Sequence, residues 1–121
     1  MTTFDYREVP PGTYLCTVAE VRVGRTTAGD ERWSLRLLVA DGPHAGLHAA
    51  WDNLVFSPRG YARARRVLRT LGLPGKERIL PADLEGRRAM VEVREATYVN
   101  QSGEGYIARN EVPYDGYREA P

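Results

Sequence analysis

The sequence predicts an all-β domain with one helix, from the order of its elements. Three strand-like runs come first, one short helical run occupies 57–72, and two more strand-like runs follow. That order, β-β-β-α-β-β, is the order of a five-stranded OB-fold barrel, which binds oligonucleotides or oligosaccharides on its second and third strands and in its loops. The expected organisation is an N-terminal extension over 1–11, a barrel over 12–112 and a partly disordered tail over 113–121. Such a fold narrows the ligands without choosing one.

The first strand starts at Gly12, after Pro10 and Pro11 hold the chain extended. Its apolar residues fall on both parities: Leu15, Ala19, Val21 and Val23 on one, Tyr14, Cys16 and Val18 on the other. A long, bent strand serving two sides of a barrel accounts for that pattern. Arg25 to Asp30 is a polar turn. The second strand, Glu31 to Ala40, alternates. Trp33, Leu35, Leu37 and Val39 are expected inside, and Arg32, Ser34 and Arg36 outside. Asp41 to Gly46 is a turn. The third strand, Leu47 to Phe56, carries Trp51 and has no clear facing, because both parities are partly apolar.

Ser57-Pro58 reads as a helix start, a hydroxyl cap before Pro at the first position. Tyr61, Ala64, Leu68 and Leu71 form the expected core stripe. Arg59, Arg63 and Arg66 form the outer stripe, joined by Arg65 and Arg69. Gly72, with Pro74-Gly75, is the expected stop. In the fourth strand, Arg87 to Tyr98, Ala89, Val91 and Val93 face in, and Met90, Glu92 and Arg94 face out. Asn100 to Gly105 is a hairpin loop, and Tyr106 to Val112 is the fifth strand.

At 121 residues the chain fits one domain with its own core. Hydrophobic residues make up 42% and charged residues 27%, an ordinary balance for a soluble globular protein. No apolar run approaches the length of a membrane span, and the first ten residues hold no apolar signal core. A cytoplasmic location in a prokaryote or its phage is the expectation, with no membrane partner. Of the 17 basic residues only Lys76 is lysine, a skew that reflects a GC-rich genome. The formal net charge is +1. Because phosphate neutralisation drives sequence-independent nucleic-acid binding, a binder with this balance must concentrate its arginines locally.

The catalytic inventory is poor. There is no Gly-x-Ser-x-Gly and no Cys/His pair at zinc spacing. Gly72 to Lys76 imitates a phosphate loop, but Glu77 stands where Ser or Thr is needed and the segment follows a helix. His44 and His48 are four apart, but a turn separates them and no carboxylate–histidine cluster surrounds them. Cys16 lies within a strand and reads as a small core residue. No enzyme, metal or cofactor is expected.

Gly12-Thr13-Tyr14, Ala28-Gly29-Asp30, Asp41-Gly42-Pro43-His44-Ala45-Gly46, Leu71-Gly72, Asp83-Leu84-Glu85-Gly86-Arg87 and Arg109-Asn110-Glu111-Val112 resemble the landmarks of a phage-encoded family. Its members are small OB-fold proteins, uncharacterised or proposed to bind single-stranded DNA, often encoded beside recombination genes. The resemblance runs from about Gly12 to Tyr117 and rests mostly on turn chemistry. It implies single-stranded DNA as ligand, and replication or recombination proteins as partners. The chain departs from DNA-coating proteins in its low basicity. It also ends in Gly116-Tyr117-Arg118-Glu119-Ala120-Pro121, not in an acidic recruitment tip.

Single strands are held by stacked aromatics together with a positive groove. The residues expected to line one are Arg22, Arg25, Arg32, Arg36, Arg94 and Arg109, with Trp51, Tyr98 and Tyr106 as candidate stacking groups. Trp33 shares its parity with three aliphatics and is expected in the core. A small single domain that coats a strand also implies a homo-oligomer or cooperative binding. The alternative is an OB-fold protein-interaction or phage assembly module without nucleic-acid binding, which the near-zero net charge favours.

Overall fold

The computed structural model describes residues 3–73, 79–103 and 105–121. The Pro74-Gly75 stop, the Lys76 segment and Glu104 of the hairpin loop lie outside the described residues. The strands are β1 (Thr3–Asp5), β2 (Gly12–Arg25), β3 (Glu31–Val39), β4 (His48–Val55), β5 (Arg88–Val99), β6 (Tyr106–Glu111) and β7 (Tyr117–Glu119). One α-helix, α1 (Tyr61–Thr70), and a 3-10 turn (Pro81–Leu84) join β4 to β5.

The architecture is an open mixed sheet of seven strands in the order β1-β6-β5-β2-β3-β4, with β7 also on β5. It corrects the expected closed barrel of five strands. The β1–β6 pair is parallel and the others are antiparallel. Among the described residues, β4 approaches β6 but pairs only with β3. The chain before β2 stands at this seam. The Glu8 carboxylate accepts the His48 N–H at 3.2 Å, on the β4 side. Asn110 Nδ2, on the β6 side, donates to the Val9 carbonyl at 2.9 Å. Val9 itself is buried in the core. Residues read from sequence as an extension therefore supply a strand and a core side chain. The tail likewise supplies β7, with Tyr117 buried.

The core follows from alternation. Trp33, Leu35, Leu37 and Val39 are buried on β3, as are Ala89, Val91 and Val93 on β5. Each buried Val or Leu gains about 1.5–3 kcal/mol over an exposed position. The two parities of β2 have one cause, a β-bulge. Val18 pairs with Leu37 and Glu20 with Arg36, leaving Ala19 extra. Before the bulge Cys16 and Val18 face in; after it Val21 faces in and Arg22 faces out. β4 repeats the device. Leu37 pairs with Ala50 and Leu38 with His48, so Ala49 is extra. Ala49 and Ala50 are both buried, and beyond them Trp51 faces out opposite Arg36.

The helix is shorter than 57–72. Ser57 caps a preceding turn instead, its Oγ accepting the Gly60 N–H at 3.0 Å. Gly60 is required there, because a Cβ would lie 2.4 Å from the Val55 carbonyl oxygen. The buried stripe is Ala64, Val67, Leu68 and Leu71, while Tyr61 is exposed. Gly72, at φ 85°, turns the chain out of the helix.

Candidate nucleic-acid interface

The outward face of β2, β3 and β4 is set by register. Arg22 lies opposite Ser34, which lies opposite Asn53; Glu20 lies opposite Arg36, which lies opposite Trp51. Arg32 joins them opposite Gly24 and Val55. These side chains form one platform. The Arg22 guanidinium sits 4.7 Å from the centre of the Trp51 ring, spanning β3. Trp51 remains 37% exposed, enough to present a ring face. Ser34 Oγ and Asn53 Oδ1 are hydrogen-bonded at 2.6 Å. Arg32 lies over Gly24, where a Cβ would meet its guanidinium at 2.7 Å. Its Nε is buried without a partner among the described residues.

The platform continues into a cleft of about 700 Å³ at the seam. Trp51, Asp52 and Asn53 line its β4 side; Tyr98, Arg109, Asn110 and Glu111 line the other. Tyr6 and Arg7 complete it from the segment after β1. Register puts Arg94, Ala96 and Tyr98 of β5 on one face with Ile107, Arg109 and Glu111 of β6. The Arg109 guanidinium lies 5.8 Å from the centre of the Tyr6 ring. The Tyr98 hydroxyl donates to Glu111 at 2.9 Å, and this bond raises its pKa. The cleft thus offers three exposed aromatics, Tyr6, Trp51 and Tyr98, beside arginines.

Two expected residues do not join this surface. Arg25 lies on the β2 parity of Val23 and donates to the Gly29 carbonyl at 2.9 Å, within its own loop. Tyr106 pairs with Val99 and Thr3, on the opposite hairpin face from Tyr98 and Arg109. Sequence reasoning misses Tyr6 and Asn53. Tyr6 sits in the segment that reads as an extension, and the ambiguous facing of β4 hides Asn53.

Acidic residues interrupt the basic surface. Glu20 accepts from Arg22 Nε at 3.2 Å and lies 3.9 Å from Arg36 NH1. Glu111 lies 3.6 Å from Arg94 Nε. All five of these side chains are more than a third exposed, and such pairs contribute only about 0–1 kcal/mol.

The helix arginines behave differently. Arg63 binds Asp52 at 3.0 Å and reaches the carbonyls of Asn53 and Tyr114. Arg66 pairs with Asp115. The expectation of one outward arginine stripe is corrected here: Arg63 is a strut between α1, β4 and the loop before β7. Tyr117 donates to the same Asp52 carboxylate at 2.7 Å. Burial raises the Asp52 pKa, opposed by Arg63 and by these hydrogen bonds.

Other reactive side chains are quiet. Burial pushes the Cys16 thiol up to about 11. Burial also lowers the His48 pKa, against the pull of Glu8. Among the described residues no group of three or more His, Cys, Asp or Glu could hold a metal ion. No described helix is long and apolar enough to cross a membrane.

No curated protein matches the chain. Residues 2–107 match a family described as "Protein of unknown function (DUF669)". That match begins before β1 and ends two residues into β6, so it takes in β4 and the Tyr6, Trp51 and Tyr98 side of the cleft but not Arg109, Asn110 or Glu111. A match over most of the chain means that the protein belongs to this family of unknown function, DUF669.

Proposed function

We propose that the protein binds single-stranded DNA, with little sequence preference, across the β2–β3–β4 platform and the seam cleft. The observation that carries this reading is the convergence of Trp51, Tyr98 and Tyr6 with Arg22, Arg36 and Arg109 on one continuous surface. Exposed rings stack on unpaired bases and guanidinium groups neutralise the phosphates between them. A duplex keeps its bases stacked inside and cannot offer them. The strand order supports an OB-type barrel left open where β4 meets β6, since that fold places its ligands on the corresponding strands. Phage-type replication or recombination is the proposed setting. A homo-oligomer, or cooperative binding along the strand, is the proposed mode of coating.

Titration of the protein with oligo-dT, followed by intrinsic fluorescence at two salt concentrations, tests this. Quenching with salt-dependent affinity supports the reading. Absence of any quenching or binding at low salt removes it. The second reading is a protein-interaction module on the same surface. The net charge of +1 and the carboxylates beside the platform arginines favour it.

A further inference from the structure

The carboxylates Glu20 and Glu111 stand where a phosphate-driven site would have none. Glu20 sits between two platform arginines, 3.2 Å from Arg22 and 3.9 Å from Arg36. Glu111 sits between Arg94, at 3.6 Å, and the Tyr98 hydroxyl, at 2.9 Å. Each lies beside an aromatic that the proposed ligand would use: Trp51 opposite Arg36, and Tyr98 itself. Neither position is needed for the core, since both carboxylates are substantially exposed.

We propose that Glu20 and Glu111 determine specificity, rejecting duplex DNA and other polyanions in favour of strands with unstacked bases. This inference rests on the single-strand reading above. The two carboxylates already lie beside three of the guanidinium groups that phosphates would contact, those of Arg22, Arg36 and Arg94. Any polyanion must displace them and then lie beside their charge. A single strand recovers that cost by stacking bases on Trp51 and Tyr98. A duplex has only its phosphates to offer, at a higher charge density, so it is penalised more. Interleaved acids make the surface a poor general anion binder, which matches a domain with a net charge of +1.

The test measures affinities for an oligo-dT and for a duplex of equal length, with wild type, Glu20→Gln/Glu111→Gln, and the control Glu85→Gln/Glu119→Gln. Glutamine keeps an acceptor for the Tyr98 hydroxyl and removes the charge. Glu85 and Glu119 are exposed and make no arginine pair among the described residues. The expected result is that duplex binding by the groove variant tightens about tenfold while oligo-dT binding tightens about threefold or less, because the gain scales with ligand charge density. The control should change both ligands equally and less. Equal gains for both ligands in the groove variant, or no gain, would overturn the specificity role while leaving the single-strand reading intact. If no form binds either ligand at low salt, both readings fall together.

Discussion

On α1, Arg63 gives its guanidinium to a buried carboxylate, Asp52; on the β2–β3–β4 face, Arg22 and Arg36 share an exposed one, Glu20. The residue types are the same and the spacings similar, yet the first pair is structural and the second is replaceable. The difference is solvent. Asp52 is 8% exposed and has Tyr117 as a second donor, so removing Arg63 strands a buried carboxylate and removing Asp52 leaves a largely covered guanidinium without its counter-ion. Glu20 and its arginines are each more than a third exposed, and breaking these pairs costs little. Arginine count alone therefore says nothing about a binding surface. What matters is whether each partner carboxylate is buried.

The strongest way to break this comparison is Asp52→Ala. It should lower unfolding stability by about 3–5 kcal/mol in a urea titration, because the largely covered Arg63 guanidinium loses its counter-ion and Tyr117 its acceptor. A destabilisation no larger than that of Glu20→Ala would show that the two pairs are equivalent. The pH dependence sharpens the same point. The Asp52 carboxyl titrates above its ordinary 3.8 in the folded protein. A raised folded pKa adds stability that is full below the unfolded value and lost as pH rises through the folded one. The stability of wild type relative to Asp52→Asn should thus decline as pH rises from below 3.8 toward neutrality, by denaturant unfolding across that window.

Smaller effects are expected on the platform. Trp51→Ala should cost about 1–3 kcal/mol of oligo-dT affinity, the worth of one stacked base, with little change in melting temperature. Arg32→Ala with Arg36→Ala should weaken oligo-dT binding and flatten its salt slope by roughly 0.7 for each phosphate no longer neutralised. The appropriate control is Arg65→Ala with Arg69→Ala, on the exposed face of α1. Arg63 and Arg66 cannot serve, since both make ion pairs that tie α1 to its neighbours. A control pair more damaging than the platform pair would move the groove to the helix side. Smallest of all, Arg25→Ala and Tyr106→Ala should leave oligo-dT affinity unchanged, since both point away from the platform.

Much of this arrangement is legible wherever alternation is unbroken. Trp33, Leu35 and Leu37 inside, and Arg32, Ser34 and Arg36 outside, follow from period two alone on β3. The face holding Arg94 and Tyr98 follows the same way on β5. The illegible parts have identifiable causes. Both bulges add one residue without any local composition signal, so parity alone cannot assign the facings of β2 and β4. The seam is hidden because closing a sheet depends on whether distant segments fit. Val9 and Asn110 are joined across nearly the whole chain. The Arg63–Asp52 strut is equally invisible, since a helix arginine ordinarily reads as solvated.

The bulge at Ala19 divides β2 into two segments of opposite phase on one continuous backbone. The strand acts as a crossover: its first half delivers even-numbered residues to the interior, and its second half delivers them to the outer face. Cys16 and Arg22, six residues apart and of equal parity, thereby end in opposite media, one in the dry interior and one over the indole of Trp51. A single uncounted residue thus lets one ladder anchor the core and furnish the outward platform without a loop between the two tasks.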